Sequence, residues 1–214
     1  MTQIFHAVAF DFDGTLLDSL PLHRTATKAA VQEVFHEDID AVTLAKSLGA
    51  PLQHSMELIS SGRGKVQELC EAYLAYYTAH VADEVTLFPN TRQTIQALKN
   101  KNIKLAILSN RLRDWGMSDM RIFQTVDLFD IIIFAEDMPE PKPSGLAMQP
   151  IINAFQMNPA DILVVGDSPK DILCAHNAGS PSAAALWGAS HPERTLAEQP
   201  DLQPKEITDL LRYF

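Results

Sequence analysis

Five short apolar runs, "FHAVAF", "IKLAILS", "DIIIFA", "DILVVG" and "PSAAALW", recur along the 214-residue chain and limit its fold more than any other feature. Each is continuous rather than alternating, the pattern of a strand covered on both faces, as in a parallel sheet. Helical patterns separate the last four. "NTRQTIQALKN" follows a start signal at Pro89 and Asn90 and puts Ile95 and Leu98 on one face. "SGLAMQPIINAF" offers Leu146, Ile151, Ile152 and Phe155, and requires Pro150 either early in the helix or at a kink. Strand and helix in repetition predict an α/β chain with a doubly wound, Rossmann-like parallel sheet.

The interval from Leu17 to Val85 breaks this rhythm. It holds amphipathic helical stretches and no convincing apolar strand. "KVQELCEAYLAYYTAHV" places Val66, Leu69, Tyr73, Tyr76 or Tyr77, and His80 at three-to-four spacing. "SSGRGK" reads as its flexible loop. The expectation is an α/β core made of residues 1–16 and 86–214, interrupted by a helical insert over 17–85. The length suffices for one core with such an insert.

A formal net charge of −10 counts against nucleic acid or an anionic membrane as the main partner. Cys70 and Cys174 stand far apart and in no metal-type spacing, so they read as buried or half-buried thiols in a reducing compartment. No basic segment followed by an apolar stretch opens the sequence, and no run approaches membrane-spanning length. The expectation is a cytoplasmic protein.

The first apolar run ends in "DFDGT". Residues i and i+2 share a side of an extended chain, so Asp11 and Asp13 point into one space beyond the strand end. Gly14 then lets the backbone turn. Ligands of open α/β sheets bind at this carboxyl edge. The other strand ends carry Ser109 and Asn110, then Lys142 between two prolines in "EPKPSG", then Asp167 and Asp171 in "GDSPKD". Singly, each set is ordinary turn chemistry; four sets on four strands are not.

Asp11, Asp13, Asp167 and Asp171 would bring four carboxylates to one rim against one lysine. Mutual repulsion raises their pKa values unless a cation joins them, and hard oxygen donors suit Mg²⁺. A magnesium ion with Lys142 would attract a phosphate. Ser109 and main-chain N–H groups near Asp13 and Gly14 are candidate donors to its oxygens. Of the opening pair, one carboxylate can attack phosphorus while the other carries protons as general acid and base.

These residues resemble the haloacid dehalogenase superfamily of phosphohydrolases. The pattern DxDGT matches Asp11, Asp13, Gly14 and Thr15; the strand-end Ser or Thr matches Ser109; the lysine matches Lys142; and GDxxxD matches Asp167 and Asp171. The resemblance implies Asp11 as nucleophile and Asp13 as general acid/base. Magnesium would be held by the Asp11 carboxylate, the Asp13 main-chain carbonyl and the Asp167 carboxylate, with Asp171 supporting it from behind. Ser109, Asn110 and Lys142 would hold the transferring phosphoryl group. Branches that cleave carbon–halogen or carbon–phosphorus bonds lack an aspartate at the second position, so Asp13 implies phosphate esters or anhydrides.

The insert is similar to the helical cap of phosphoglycolate phosphatases. His23, a candidate for reading substrate, also stands where sugar phosphomutases of the β-phosphoglucomutase type carry a cap histidine. Arg111 occupies a place where lysine is more usual, and Pro89-Asn90 replaces the expected Pro-Gly. The function implied is a magnesium-dependent phosphatase for a small phosphorylated metabolite. A sugar phosphomutase or sugar phosphatase, or a non-catalytic phospho-ligand binder, stands as the alternative. Retention of both Asp11 and Asp13 favours an enzyme over a binder.

Overall fold

All four residues of the first strand, β1 (Ala7–Phe10), are shut off from solvent, as a strand in the middle of a parallel sheet must be. The computed structural model describes residues 5–214, so the first four residues of the expected core segment lie outside the described residues. The chain divides into two compact units. One runs up to Asp18 and resumes at Leu87; the other is Ser19–Thr86.

In the larger unit, β1 is joined by β2 (Lys104–Leu108), β3 (Ile131–Ile133), β4 (Ile162–Gly166) and β5 (Ser182–Ala184), all at the predicted apolar runs. The order is β3-β2-β1-β4-β5 and every pairing is parallel. β1 lies between β2 and β4, pairing Phe10 with Ile107 on one side and with Val165 on the other. The chain after β1 moves toward β2 and β3, whereas the chain after β4 moves toward β5. The carboxyl ends of β1 and β4 therefore flank the switch point at which such sheets open a crevice.

Alternate side chains serve the two faces of the sheet. Ala7, Ala9, Ala106, Leu108, Ile162 and Val164 form one apolar cluster with Ile151 and with Cys174 and Ala175. Val8, Phe10, Leu105, Ile107, Leu163 and Val165 fall on the opposite face by the two-residue period and are also buried. Cys174 thus packs in the core, while Cys70 is half-buried; both are free thiols. The crossover after β3 passes through 3₁₀ turns at Ala135–Asp137 and Gly145–Met148 before the helix Gln149–Phe155. Pro150 sits in the first turn of that helix, where its missing N–H costs nothing.

The second unit is helical, as expected: α1 (Leu20–Phe35), α2 (Ala41–Ser47), α3 (Leu52–Ser60) and α4 (Val66–Glu84). Asp40 caps α2, its carboxylate accepting from the N–H groups of Val42 and Thr43 at 2.9 Å each. Ala30, Val31, Met56, Ile59, Leu69 and Ala72 make its core. The buried residues of α4 are Leu69, Ala72, Tyr77 and Val81. Of the two tyrosines left open by the spacing, Tyr77 faces inward. Tyr76 is half-buried and stacks on His80, with ring centroids 4.1 Å apart. "SSGRGK" forms the turn between α3 and α4, and Ser61, Gly62, Gly64 and Lys65 there all take positive φ. Among the described residues, no helix is long and apolar enough to cross a membrane.

Candidate active site

Beyond β1 the chain closes on itself. Asp11 N–H still pairs with the Val165 carbonyl at 2.8 Å, extending the β1–β4 ladder by one bond. Then Leu16 and Leu17 donate to the Phe12 carbonyl, and Gly14 N–H donates to Leu17 at 2.8 Å. That last bond occupies a donor expected to face a phosphate. Gly14 has φ of 75°, and a Cβ there would come within 2.7 Å of the Asp167 carboxylate. Both the turn and the close approach require glycine.

Three of the four predicted carboxylates meet at this edge, while the fourth, Asp13, is paired with Arg111. One oxygen each of Asp11, Asp167 and Asp171 lies within 4.8 Å of the others. Lys142 enters among them: its ammonium donates to Asp171 Oδ1 at 2.6 Å and stands 2.9 Å from Asp11 Oδ1. Burial alone would lower the Lys142 pKa, but Asp11 and Asp171 outweigh it and hold the ammonium above its ordinary value. Burial, then the charge of Asp171, pushes the Asp11 carboxyl up to about 7 against the pull of Lys142. Burial, with Asp171 and Asp11 beside it, holds Asp167 well above the usual carboxylate range. One lysine does not balance this group.

A divalent cation with a preference for oxygen fits the imbalance. Both oxygens of Asp171 are already engaged, one by Lys142 and the other by the N–H and hydroxyl of Ser168 at 3.0 and 2.7 Å. Asp171 is thereby fixed as the capping partner of Ser168 in helix α8, where α5 is Thr91–Asn100, α6 is Arg113–Ile122, α7 is Gln149–Phe155 and α8 is Pro169–Ala178. Asp11 and Asp167 are the better-placed carboxylates for a cation.

Asn110 and Lys142 are locked together. The Asn110 amide donates to the Lys142 carbonyl at 3.0 Å and accepts from the Lys142 N–H at 2.9 Å. Sequence reasoning placed Asn110 against phosphate; its side chain holds the lysine loop. Ser109 is buried at the end of β2, and its hydroxyl lies 3.4 Å from the Arg111 N–H. His23 is on α1, in the helical unit. Its Nδ1 is hydrogen-bonded to the Tyr73 hydroxyl, and its ring stacks on Tyr77 at 4.8 Å.

Several supports were not foreseen. Arg111 reaches Asp13 Oδ1 at 2.9 Å and Asp119 Oδ2 at 2.7 Å. Thr195 donates to the Asp167 carbonyl at 2.7 Å, Thr15 to Asp167 Oδ1 at 3.3 Å, and the Trp187 indole to the Thr15 carbonyl at 2.8 Å. Trp187 closes the fifth apolar run and Thr195 lies beyond it, neither in a site motif. Asp119 carried a signal, being an acid on the same helical face as Gly116 and Met120, both buried.

A family model described as haloacid dehalogenase-like hydrolase matches residues 8–185. A phosphoglycolate phosphatase from Vibrio vulnificus is similar to the chain, 28% identical over 98% of it and 96% of the relative. A pyrophosphatase from Anoxybacillus flavithermus is 26% identical over 96% of the chain and 95% of the relative. The solved structure of a haloacid dehalogenase-like family hydrolase from Streptococcus pneumoniae superposes with a TM-score of 0.85, at 26% identity and with 100% of both chains covered. The family match takes in Asp11, Asp13, Ser109, Lys142, Asp167 and Asp171 at the edge where the fold gathers them, and the chain belongs to the haloacid dehalogenase-like hydrolases.

Proposed function

We propose that the chain is a magnesium-dependent phosphatase acting on a small phosphorylated acid of the phosphoglycolate kind through an aspartyl-phosphate intermediate. The observation that carries this reading is the Asp11 carboxylate, set against the Lys142 ammonium and beside Asp167, with Asp13 two residues on. Similarity to phosphoglycolate phosphatases along nearly the whole chain supports the substrate class.

In this reading an Asp11 oxygen attacks phosphorus and the bond from phosphorus to the ester oxygen breaks. Asp13 gives its proton to the departing alkoxide, so the leaving group departs neutral. Asp13, now a base, takes a proton from water as that water attacks the phosphorus of the acyl phosphate. The bond from phosphorus to Asp11 breaks and inorganic phosphate leaves. Lys142 stabilises the phosphoryl charge, helped by the Ser109 hydroxyl and the main chain at Asn110, whose side chain holds the lysine loop.

A magnesium ion would be held by Asp11, Asp167 and the Asp13 carbonyl, with Asp171 supporting the group. When bound it supplies positive charge that keeps Asp11 ionised and offsets the charge of the phosphoryl oxygens. The helical unit 19–86 acts as the cap that reads the rest of the substrate, with His23 as its candidate residue. Phosphate release from phosphoglycolate, pyrophosphate and sugar phosphates, with and without Mg²⁺, tests the assignment. Release that needs Mg²⁺ and is fastest with phosphoglycolate is expected. Magnesium-independent release, or none from folded protein, would overturn it.

A further inference from the structure

We propose that Arg111 and Asp119 form a positioning pair that sets the Asp13 carboxylate for proton transfer. The inference rests on the phosphatase reading only for the role of Asp13; the pairing itself is geometric.

Arg111 leaves the end of β2 two residues after Ser109. Its main chain is anchored, since its carbonyl accepts from Ala135 N–H at 2.9 Å. Nη1 donates to Asp13 Oδ1 at 2.9 Å and Nη2 lies 2.7 Å from Asp119 Oδ2. A guanidinium presents donors in a fixed plane, so gripping one carboxylate aims its other arm. Lysine, a compact point charge on a flexible stem, has no planar fork with which to orient one carboxylate relative to another. Arg111 therefore fixes the Asp13 carboxylate relative to Asp119.

The pair is a poor device for stability. The Arg111 side chain is 9% exposed and that of Asp119 is 4%. Asp119 lies on the buried face of α6 beside Met120, at a position an apolar residue would fill at less cost. Exchanging a buried ion pair for well-packed apolar side chains is often neutral or stabilising. What the pair does supply is a fixed contact to one residue, Asp13. That side chain stands in a tight turn and is 18% exposed. A general acid must come within hydrogen-bond reach of the leaving oxygen, and a misplacement of about 1 Å can cost about 10²-fold in rate.

Proton donation matters for an alkoxide and little for a stabilised phenolate, so two substrates separate positioning from other roles. Phosphoglycolate and p-nitrophenyl phosphate should be compared in Arg111→Lys, Arg111→Met, Asp119→Asn and the double change Arg111→Met with Asp119→Leu. The double variant removes both charges of the buried Arg111–Asp119 pair at once and guards against misfolding. Expected are losses in the single-turnover rate of phosphoryl transfer from phosphoglycolate of about 10²-fold in both Arg111→Met variants and about 10-fold in Asp119→Asn and Arg111→Lys, with transfer from p-nitrophenyl phosphate in the same assay changed by less than about 5-fold. Equal losses of that rate on the two substrates would overturn the proposal, as would weaker substrate binding with the ratio of the two rates intact. A crystal structure of Arg111→Lys supplies a readout without turnover: the Asp13 carboxylate should leave its position, and an unmoved carboxylate overturns the pairing. If the unaltered protein releases phosphate from neither substrate, the phosphatase reading fails while this structural comparison still decides the pairing.

Discussion

Replacing Asp11 by Asn should abolish turnover and, without metal, stabilise the fold. The Asp11 carboxyl is raised from its ordinary 3.8 to about 7 because burial and Asp171 outweigh Lys142. A carboxyl raised in this way favours the folded state while protonated. Its favourable contribution is complete below about 3.8 and is lost as pH climbs through about 7. At about 1.4 kcal/mol per pH unit, the raised carboxyl costs about 4 kcal/mol near pH ~8, where it is ionised in both states, and about 2 kcal/mol near pH ~5, where folding requires it to take up a proton. Asparagine has nearly the same shape and carries no charge, and Lys142 keeps its bond to Asp171 at 2.6 Å. Thermal unfolding in EDTA of the unaltered protein and Asp11→Asn is the assay. With about 2–4 °C per kcal/mol for a chain of this size, the gain from Asn should be about 4–8 °C larger near pH ~8 than near pH ~5. Added Mg²⁺ should erase much of the difference by stabilising the ionised form. A gain that is equal at both pH values, or larger at the acid one, would refute the electrostatic reasoning.

Asp13→Asn should slow phosphoglycolate hydrolysis by about 10²-fold or more while sparing phosphoryl transfer from p-nitrophenyl phosphate in a single turnover; matched losses would remove its acid role. Lys142→Ala leaves Asp11 and Asp171 facing each other, so it should cost about 3–5 kcal/mol near neutral pH and weaken binding of inorganic phosphate. Unchanged phosphate affinity by calorimetry would take Lys142 out of the site. Gly14→Ala should cost about 1–2 kcal/mol from its φ of 75° alone and lower Mg²⁺ affinity by displacing Asp167; unaltered Mg²⁺ affinity would contradict the close approach.

Much of the sheet was legible because a strand buried on both faces must be apolar throughout, and "DILVVG" or "IKLAILS" can scarcely hide. The charged edge was legible for a related reason: Asp11, Asp13, Ser109, Asn110 and Asp167 sit within a few positions of a strand end, where local spacing governs direction, whereas Lys142 is brought in by a loop nine residues beyond β3. The inner face of α4 was harder. Ala72 contributes little to an apolar pattern, and the tyrosines at 73, 76 and 77 pull the apparent stripe around the helix, whereas Tyr77 and Val81 are the buried pair. The start of the helix at Gln149 was blurred because Gly145–Met148 makes a 3₁₀ turn with the same apolar spacing. Contacts closed by the fold left no mark at all. Nothing near Thr195 or Trp187 announces that one will brace the Asp167 loop and the other the Thr15 loop, because such pairs are set by topology rather than by neighbours. Asp119 was readable in principle, since an acid on a buried helical face needs a cation, but its partner Arg111 became identifiable only in three dimensions.

The most direct test of the account is to trap the covalent intermediate. Protein turning over phosphoglycolate with Mg²⁺ would be quenched in acid, reduced with borohydride and digested for mass spectrometry. An acyl phosphate is reduced to the alcohol, so residue 11 should appear as homoserine, and only when substrate and Mg²⁺ are both present. Unmodified Asp11 during active turnover, or homoserine at another aspartate, would contradict the assignment of Asp11 as nucleophile.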